Sequence, residues 1–82
     1  MTMETEKNVV NINNYGKISI NIKKIMQAKK INRNQLCVMT GIKFDTIQKY
    51  FLGEVYRVDL DVLARICYAL NCEPKEIIEY KY

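Results

Sequence analysis

The chain has 82 residues, enough for one domain, and its hydrophobic content of 49% is that of an ordinary globular protein. No apolar run is long enough to span a bilayer, and the first residues lack the apolar segment of a secretory signal, so we expect a cytoplasmic protein with no membrane association. The sequence contains no histidine, and its three cysteines lack paired C-x-x-C spacing. We therefore expect no metal site, no cofactor, no catalytic residues and no disulfide framework.

The net charge of +4 is unevenly distributed along the chain. Residues 17–49 contain eight basic residues and one acidic residue, a net charge of +7, whereas residues 50–82 contain four basic and six acidic residues. A basic excess confined to one part of a small domain favours a polyanionic partner on that side. Lysines scattered over a solvated surface would give the same composition, so charge alone does not identify the partner.

Residues 1–16 are polar and rich in asparagine, end at Gly16, and show neither a helical nor a strand period. This composition predicts a flexible N-terminal arm, followed by one domain over residues 17–82. Residues 18–22 alternate isoleucine with polar residues, which indicates either a short strand or the lead-in to a helix. The last six residues also mix β-formers with charges, so the two ends of the domain could pair as a short ribbon.

The rest of the sequence predicts an all-α domain of five helices. Capping residues and glycines place the first four at about residues 21–30, 33–40, 44–52 and 60–70, and a short fifth helix begins near Pro74. Within each segment, apolar residues recur at helical spacing. The side chains that we expect to face the core are Ile22, Ile25, Met26, Leu36, Cys37, Met39, Ile47, Tyr50, Phe51, Leu60, Leu63, Ile66, Cys67, Leu70, Ile77 and Ile78.

These elements, taken in order, are similar to those of a known family. The second helix opens with Asn32-Arg33-Asn34-Gln35-Leu36 and is followed by Thr40-Gly41-Ile42, then by Thr46-Ile47, and by Gly53 at the end of the third helix. Residues 21–80 thereby resemble the Xre/Cro-type helix-turn-helix domains, which have the lambda-repressor-like fold. The resemblance implies a compact five-helix DNA-binding domain of the kind found in small bacterial or phage transcription regulators.

Four positions depart from the pattern of that family. Arg33 stands where the second helix usually opens with glutamine. Lys43 replaces the serine or threonine that usually caps the third helix. Phe51 and Leu52 replace the usual Glu-Asn before the closing glycine, which puts one phosphate contact of the family in doubt.

The resemblance implies that the third helix, residues 44–52, enters the major groove of double-stranded DNA, where base edges can be distinguished. The candidates for base contacts on its outer face are Phe44, Asp45, Gln48 and Lys49. Lysine could donate to guanine, aspartate could accept from cytosine, glutamine could pair with adenine, and phenylalanine could touch a thymine methyl group. Phe44 could instead pack into the core, and Asp45 could instead complement the helix dipole in place of the missing cap.

Candidates for phosphate contacts flank the same helix, where backbone N–H groups at helix starts also favour anions. The side chains are Asn32, Arg33, Lys43, Thr46, Tyr56 and Arg57. Arg57 could instead pair with Asp59 or Asp61.

We therefore predict a sequence-specific DNA-binding transcription regulator, a repressor that acts as a homodimer and needs no small-molecule ligand. The alternative is a protein-binding module of the same fold, such as an antitoxin-like or phage regulatory partner. The apolar cluster of Phe51, Leu52, Val55 and Tyr56 motivates that alternative, although it could equally be the dimer interface of the regulator. An enzyme is not expected, because no nucleophile stands beside a base and no glycine loop could bind phosphate.

Overall fold

The structure, a computed structural model, describes residues 15–82, so the predicted N-terminal arm lies outside the described residues except for Tyr15 and Gly16. The described part is mostly helical. Its elements are β1 (Lys17–Ile20), α1 (Lys23–Lys29), α2 (Arg33–Thr40), α3 (Phe44–Leu52), α4 (Leu60–Leu70), a 3-10 helix (Pro74–Glu76) and β2 (Ile78–Lys81).

Side-chain caps fix the starts of α2 and α4 where the sequence predicted them. Asn32 Oδ1 accepts a hydrogen bond of 2.7 Å from the Gln35 N–H, and Gln35 Oε1 accepts one of 2.8 Å from the Asn32 N–H, which is a complete capping box. Asp59 Oδ1 accepts from the N–H groups of Asp61 and Val62 at 2.9 and 3.3 Å. These acceptors satisfy N–H groups that have no partner inside the helix.

The predicted first helix begins later than expected, at Lys23, and β1 ends three residues before it, at Ile20. The Asn21 N–H donates to the Ile77 carbonyl at 2.9 Å, next to the strand pairing. The Asn21 side chain still supports the helix start, since its Oδ1 accepts from the Lys23 N–H at 3.0 Å. Ile22 follows Asn21 as the N-cap residue and is fully buried.

The two ends of the domain pair as a ribbon, which is one of the alternatives that the sequence left open. Strands β1 and β2 are antiparallel, with Lys17 opposite Lys81 and Ile20 opposite Ile78. Ile20 is buried in the core, and Ile78 packs against it. The alternation of apolar and polar residues therefore marks a strand, whose inner end is anchored by the core.

The prediction of a fifth α-helix is wrong. The segment after α4 makes a single 3-10 turn in which the N–H groups of Glu76 and Ile77 donate to the carbonyls of Glu73 and Pro74. The next residues belong to β2, whose pairing with β1 uses the backbone groups that a longer helix would need.

One hydrophobic core joins all the helices and the inner end of the ribbon. Its buried apolar members are Ile20, Ile22, Met26, Leu36, Ile42, Ile47, Tyr50, Leu63, Ile66, Cys67, Leu70 and Ile77. Two predicted core residues are instead exposed, since Met39 is 51% and Leu60 is 74% accessible. In α2 the buried face is centred on Leu36 and Thr40, which turns Met39 away, and Leu60 is the first residue of α4.

Two of the three cysteines lie near the end of α4. Cys67 is buried and Cys72 is half-buried. Burial is the main cause that raises the pKa of Cys67, and it raises the pKa of Cys72 to about 11. Both groups are therefore neutral thiols near pH 7. Among residues 15–82, no group of three or more acidic or cysteine side chains is arranged to hold a metal ion.

Candidate nucleic-acid interface

The turn between α2 and α3 sets the direction of α3, and the Thr40 hydroxyl group organises it. Thr40 Oγ1 donates to the Leu36 carbonyl at 2.7 Å and accepts from the Ile42 N–H at 3.2 Å. Gly41 takes the left-handed conformation, with φ 73°, that ends α2. From α4, Arg65 Nη1 donates to the Thr40 carbonyl at 3.2 Å, so a cation lies at the negative end of α2.

Helix α3 is seated on the core by one face and exposes the other. Ile47 is fully buried and Tyr50 is 3% accessible. Asp45, Lys49 and Leu52 lie on the exposed side of the same helix. As predicted, no side chain caps its start, because the N-cap residue Lys43 forms no capping hydrogen bond. The first-turn Asp45 therefore complements the helix dipole from an exposed position that also leaves it available to a ligand.

The four candidates for base contacts differ in their surroundings. Asp45 and Lys49 are exposed, and Phe44 is 44% accessible, so Phe44 is not a core residue. Gln48 is half-buried, and its Oε1 accepts a hydrogen bond from Arg33 Nη1 of α2. Gln48 is therefore held by a neighbouring helix before any ligand is present.

Arg33, the first residue of α2, lies over a stripe of α3 side chains. Its guanidinium carbon is 4.5 Å from the centre of the Phe51 ring and 5.9 Å from that of Phe44. Lys23 of α1 also lies near Phe51, with its Nζ 5.6 Å from the ring centre. Aromatic faces attract cations at such distances. The Phe51 ring thus makes cation–π contacts with two basic residues, Arg33 and Lys23.

The candidates for phosphate contacts fall into two groups. Thr46, Tyr56 and Arg57 line one surface groove, together with the base candidate Lys49. Asn32 and Arg33 line a second depression at the start of α2, beside Phe51. Of the first group, Tyr56 is 90% accessible. The remaining candidate, Lys43, is exposed at the start of α3.

Sequence reasoning missed the roles of three residues that shape this surface. Thr40 and Arg65 form the hydrogen bonds that stabilise the turn. The Phe51 ring contacts the Arg33 guanidinium group in addition to packing against the core. One signal was available, because residues 44, 48 and 51 have the i, i+4, i+7 spacing of a single helix stripe. The contact of Arg65 with Thr40 joins residues 25 positions apart and has no local signal.

A family model that describes the Cro/C1-type HTH DNA-binding domain matches residues 21–81. The chain belongs to this Cro/C1-type helix-turn-helix family. The chain is 31% identical over 64 residues to YozG of Bacillus subtilis (strain 168), an uncharacterised HTH-type transcriptional regulator. That match covers 78% of this chain and 76% of YozG.

Two solved structures share the fold of this Cro/C1-type domain. A candidate DNA-binding protein from Bacteroides fragilis has a TM-score of 0.67 at 22% identity, covering 77% of this chain and all of the other. The transcriptional regulator VanUg has a TM-score of 0.63 at 24% identity, covering 83% of this chain and 92% of the other. In the part of the chain that the structure describes, no helix is long and apolar enough to cross a membrane.

Proposed function

We propose that this chain is a sequence-specific DNA-binding transcription regulator that reads the major groove of double-stranded DNA with α3. The observation that carries the proposal is the way α3 packs, with one face against the core and the opposite face exposed. Ile47 and Tyr50 fix one face in the core, while Asp45 and Lys49 stand on the opposite face. A single helix with a polar outer face fits the major groove, where hydrogen-bond donors and acceptors distinguish the base pairs.

The base contacts in this proposal come from Phe44, Asp45, Gln48 and Lys49. The phosphate contacts come from Asn32, Arg33, Lys43, Thr46, Tyr56 and Arg57. Lys49, Thr46 and Arg57 line one groove, which also contains Glu54 and Asp59, so a base-reading candidate lies next to donors suited to the backbone. The name of the relative YozG, an HTH-type transcriptional regulator, supports the regulatory role.

The regulator acts as a homodimer and as a repressor in this proposal. One helix of the length of α3 reads only a few base pairs, whereas two copies would read half-sites about one helical turn apart. Repression by occupying a promoter requires DNA binding alone, which one domain can supply. A nuclease footprint with two protected half-sites and two protein chains per duplex would support the dimer. A single protected half-site with one chain at saturation would contradict it.

Gel-shift titration of random duplexes, followed by selection of the bound fraction, tests the proposal. We expect enrichment of one sequence and binding that weakens steeply with salt. With a half dozen phosphates neutralised, the slope of log affinity against log salt should be about −5. A flat salt dependence, or a selected pool without a shared sequence, would contradict DNA reading.

A protein-binding module is the second candidate. Of the apolar cluster that motivates it, Phe51 and Val55 pack against the core, whereas Leu52 and Tyr56 are exposed. Leu60, the first residue of α4, is also exposed. A stable complex with a protein partner, together with no selected DNA sequence, would favour this function over the first.

A further inference from the structure

The contact between Arg33 and Gln48 defines the chemistry that Gln48 can present to a ligand. A guanidinium group has donors and no acceptor, so the Gln48 atom that faces Arg33 must be the carbonyl oxygen. The amide NH2 group of Gln48 is then the part that remains free of this contact. The orientation of the amide thus follows from the chemistry of its partner.

Arg33 is itself held in place, which makes the contact specific. Its guanidinium lies 4.5 Å from the centre of the Phe51 ring and near Phe44, and its side chain is half-buried. Partial burial strengthens a charge-assisted hydrogen bond relative to one in open water. The cation also polarises the amide, so that Oε1 becomes a poorer acceptor for a second donor and Nε2 a better donor.

We propose that Arg33 is a positioning residue that occupies Oε1 of Gln48 and leaves only the amide NH2 group to contact a base. Gln48 can then act only as a hydrogen-bond donor, so it selects guanine over adenine. This inference rests on the proposed function, in which α3 lies in the major groove. Guanine presents two acceptors there, O6 and N7, whereas adenine presents the N7 acceptor and the N6 donor. The usual pairing of glutamine with adenine needs the amide oxygen to accept from N6. Oε1 keeps a second lone pair, but the Arg33 cation beside it repels the positively polarised N6 hydrogens.

The test measures affinity by fluorescence anisotropy on the selected duplex and on variants with each base at each position. The position whose preference Gln48→Ala abolishes is the position that Gln48 reads. We expect the wild-type protein to favour guanine over adenine there by about tenfold. Arg33→Met keeps an unbranched apolar stem and removes the donors, so it should bring that ratio to about one or reverse it. Preferences at the other positions should stay unchanged.

Arg57→Met is the matched control, because it removes the same charge from an exposed phosphate-contact candidate. We expect it to weaken all duplexes alike and to keep the guanine preference. If Arg33→Met behaves in the same way, Arg33 is only a phosphate contact and the inference is wrong. Adenine preference of the wild-type protein at the Gln48 position would also overturn it.

In Gln48→Glu a carboxylate oxygen still accepts from Arg33, and a second carboxylate oxygen, an acceptor, replaces the free NH2 donor. This variant is the second test if Arg33→Met fails to fold. Its preference should move from guanine to cytosine, whose N4 group donates. An unchanged guanine preference would overturn the inference. Equal binding of all duplexes by the wild-type protein would contradict the proposed function, and the inference with it. Specific binding with adenine at this position would contradict the inference alone.

Discussion

The Thr40 hydroxyl group, which organises the turn before α3, can be removed without changing the size of the side chain. In Thr40→Val a methyl group replaces Oγ1, so the Ile42 N–H loses its acceptor at 3.2 Å and the Leu36 carbonyl loses one of its donors. Thr40 is 9% and Ile42 8% accessible, so water has little access to the released N–H group. A buried donor left without a partner costs about 1–3 kcal/mol.

We therefore expect Thr40→Val to lower the free energy of unfolding by about 2 kcal/mol. For a domain of this size, such a loss lowers Tm by roughly 10 °C. Urea unfolding followed by far-UV circular dichroism measures the change, and the midpoint should fall while the m-value stays constant. An unchanged m-value would mean that the variant and the wild-type protein expose the same amount of surface on unfolding. The loss of stability would then come from the turn in the native state.

Thr46→Val provides the comparison, because it makes the same chemical change at a half-buried position of α3, away from the hydrogen bonds of the turn. We expect this variant to stay within about 0.5 kcal/mol of the wild-type protein. If Thr40→Val is as stable as Thr46→Val, the hydroxyl group does not hold the turn, and the reasoning from its two hydrogen bonds is refuted.

Three further variants test the interface, the ribbon and the half-buried thiol of Cys72. Lys49→Ala should cost about 1–3 kcal/mol of affinity for the selected duplex and relax the preference at one base position. Fluorescence anisotropy on duplexes with single-base changes measures both effects, and an unchanged base preference would contradict the assignment. Gly16→Ala should lower Tm, because a Cβ there would lie 2.7 Å from the Tyr80 hydroxyl at a φ of +87°, and an unaltered melting curve would contradict the close approach. The raised pKa of Cys72 means that the folded protein keeps this proton longer than the unfolded chain, so stability should be intact below about pH 9 and decline towards pH 11. Urea titrations across this range should show a shallower decline for Cys72→Ala, and identical slopes would argue against the shift.

Local chemistry made most of the helix boundaries predictable. The Asn32 and Asp59 side chains act on N–H groups two or three residues away, and Gly41 adopts the left-handed conformation beside its own helix. Each of these signals is contained in a few consecutive residues. The fifth helix failed as a prediction because its residues also suited a strand, and pairing with a segment from the other end of the domain decided between the two.

The arrangement of the candidate site was less predictable, because it depends on how two helices pack. The resemblance to the helix-turn-helix family implied separate roles for Gln48 and Arg33, as a base contact and a phosphate contact. Their hydrogen bond depends on the position of α2 over α3, which neither helix specifies alone. The contacts of both residues with DNA remain predictions.

The antiparallel pairing of Lys17 with Lys81 has a consequence for how the domain folds. The contacts between helices, including those of α1 and α2 with α4, close shorter loops than the ribbon, whose two strands lie on either side of these four helices in the sequence. Closing so long a loop costs more chain entropy than any helix contact, so we expect the ribbon to form last. Truncation at either end should then have the same effect, because deletion of one strand leaves the other without its partner.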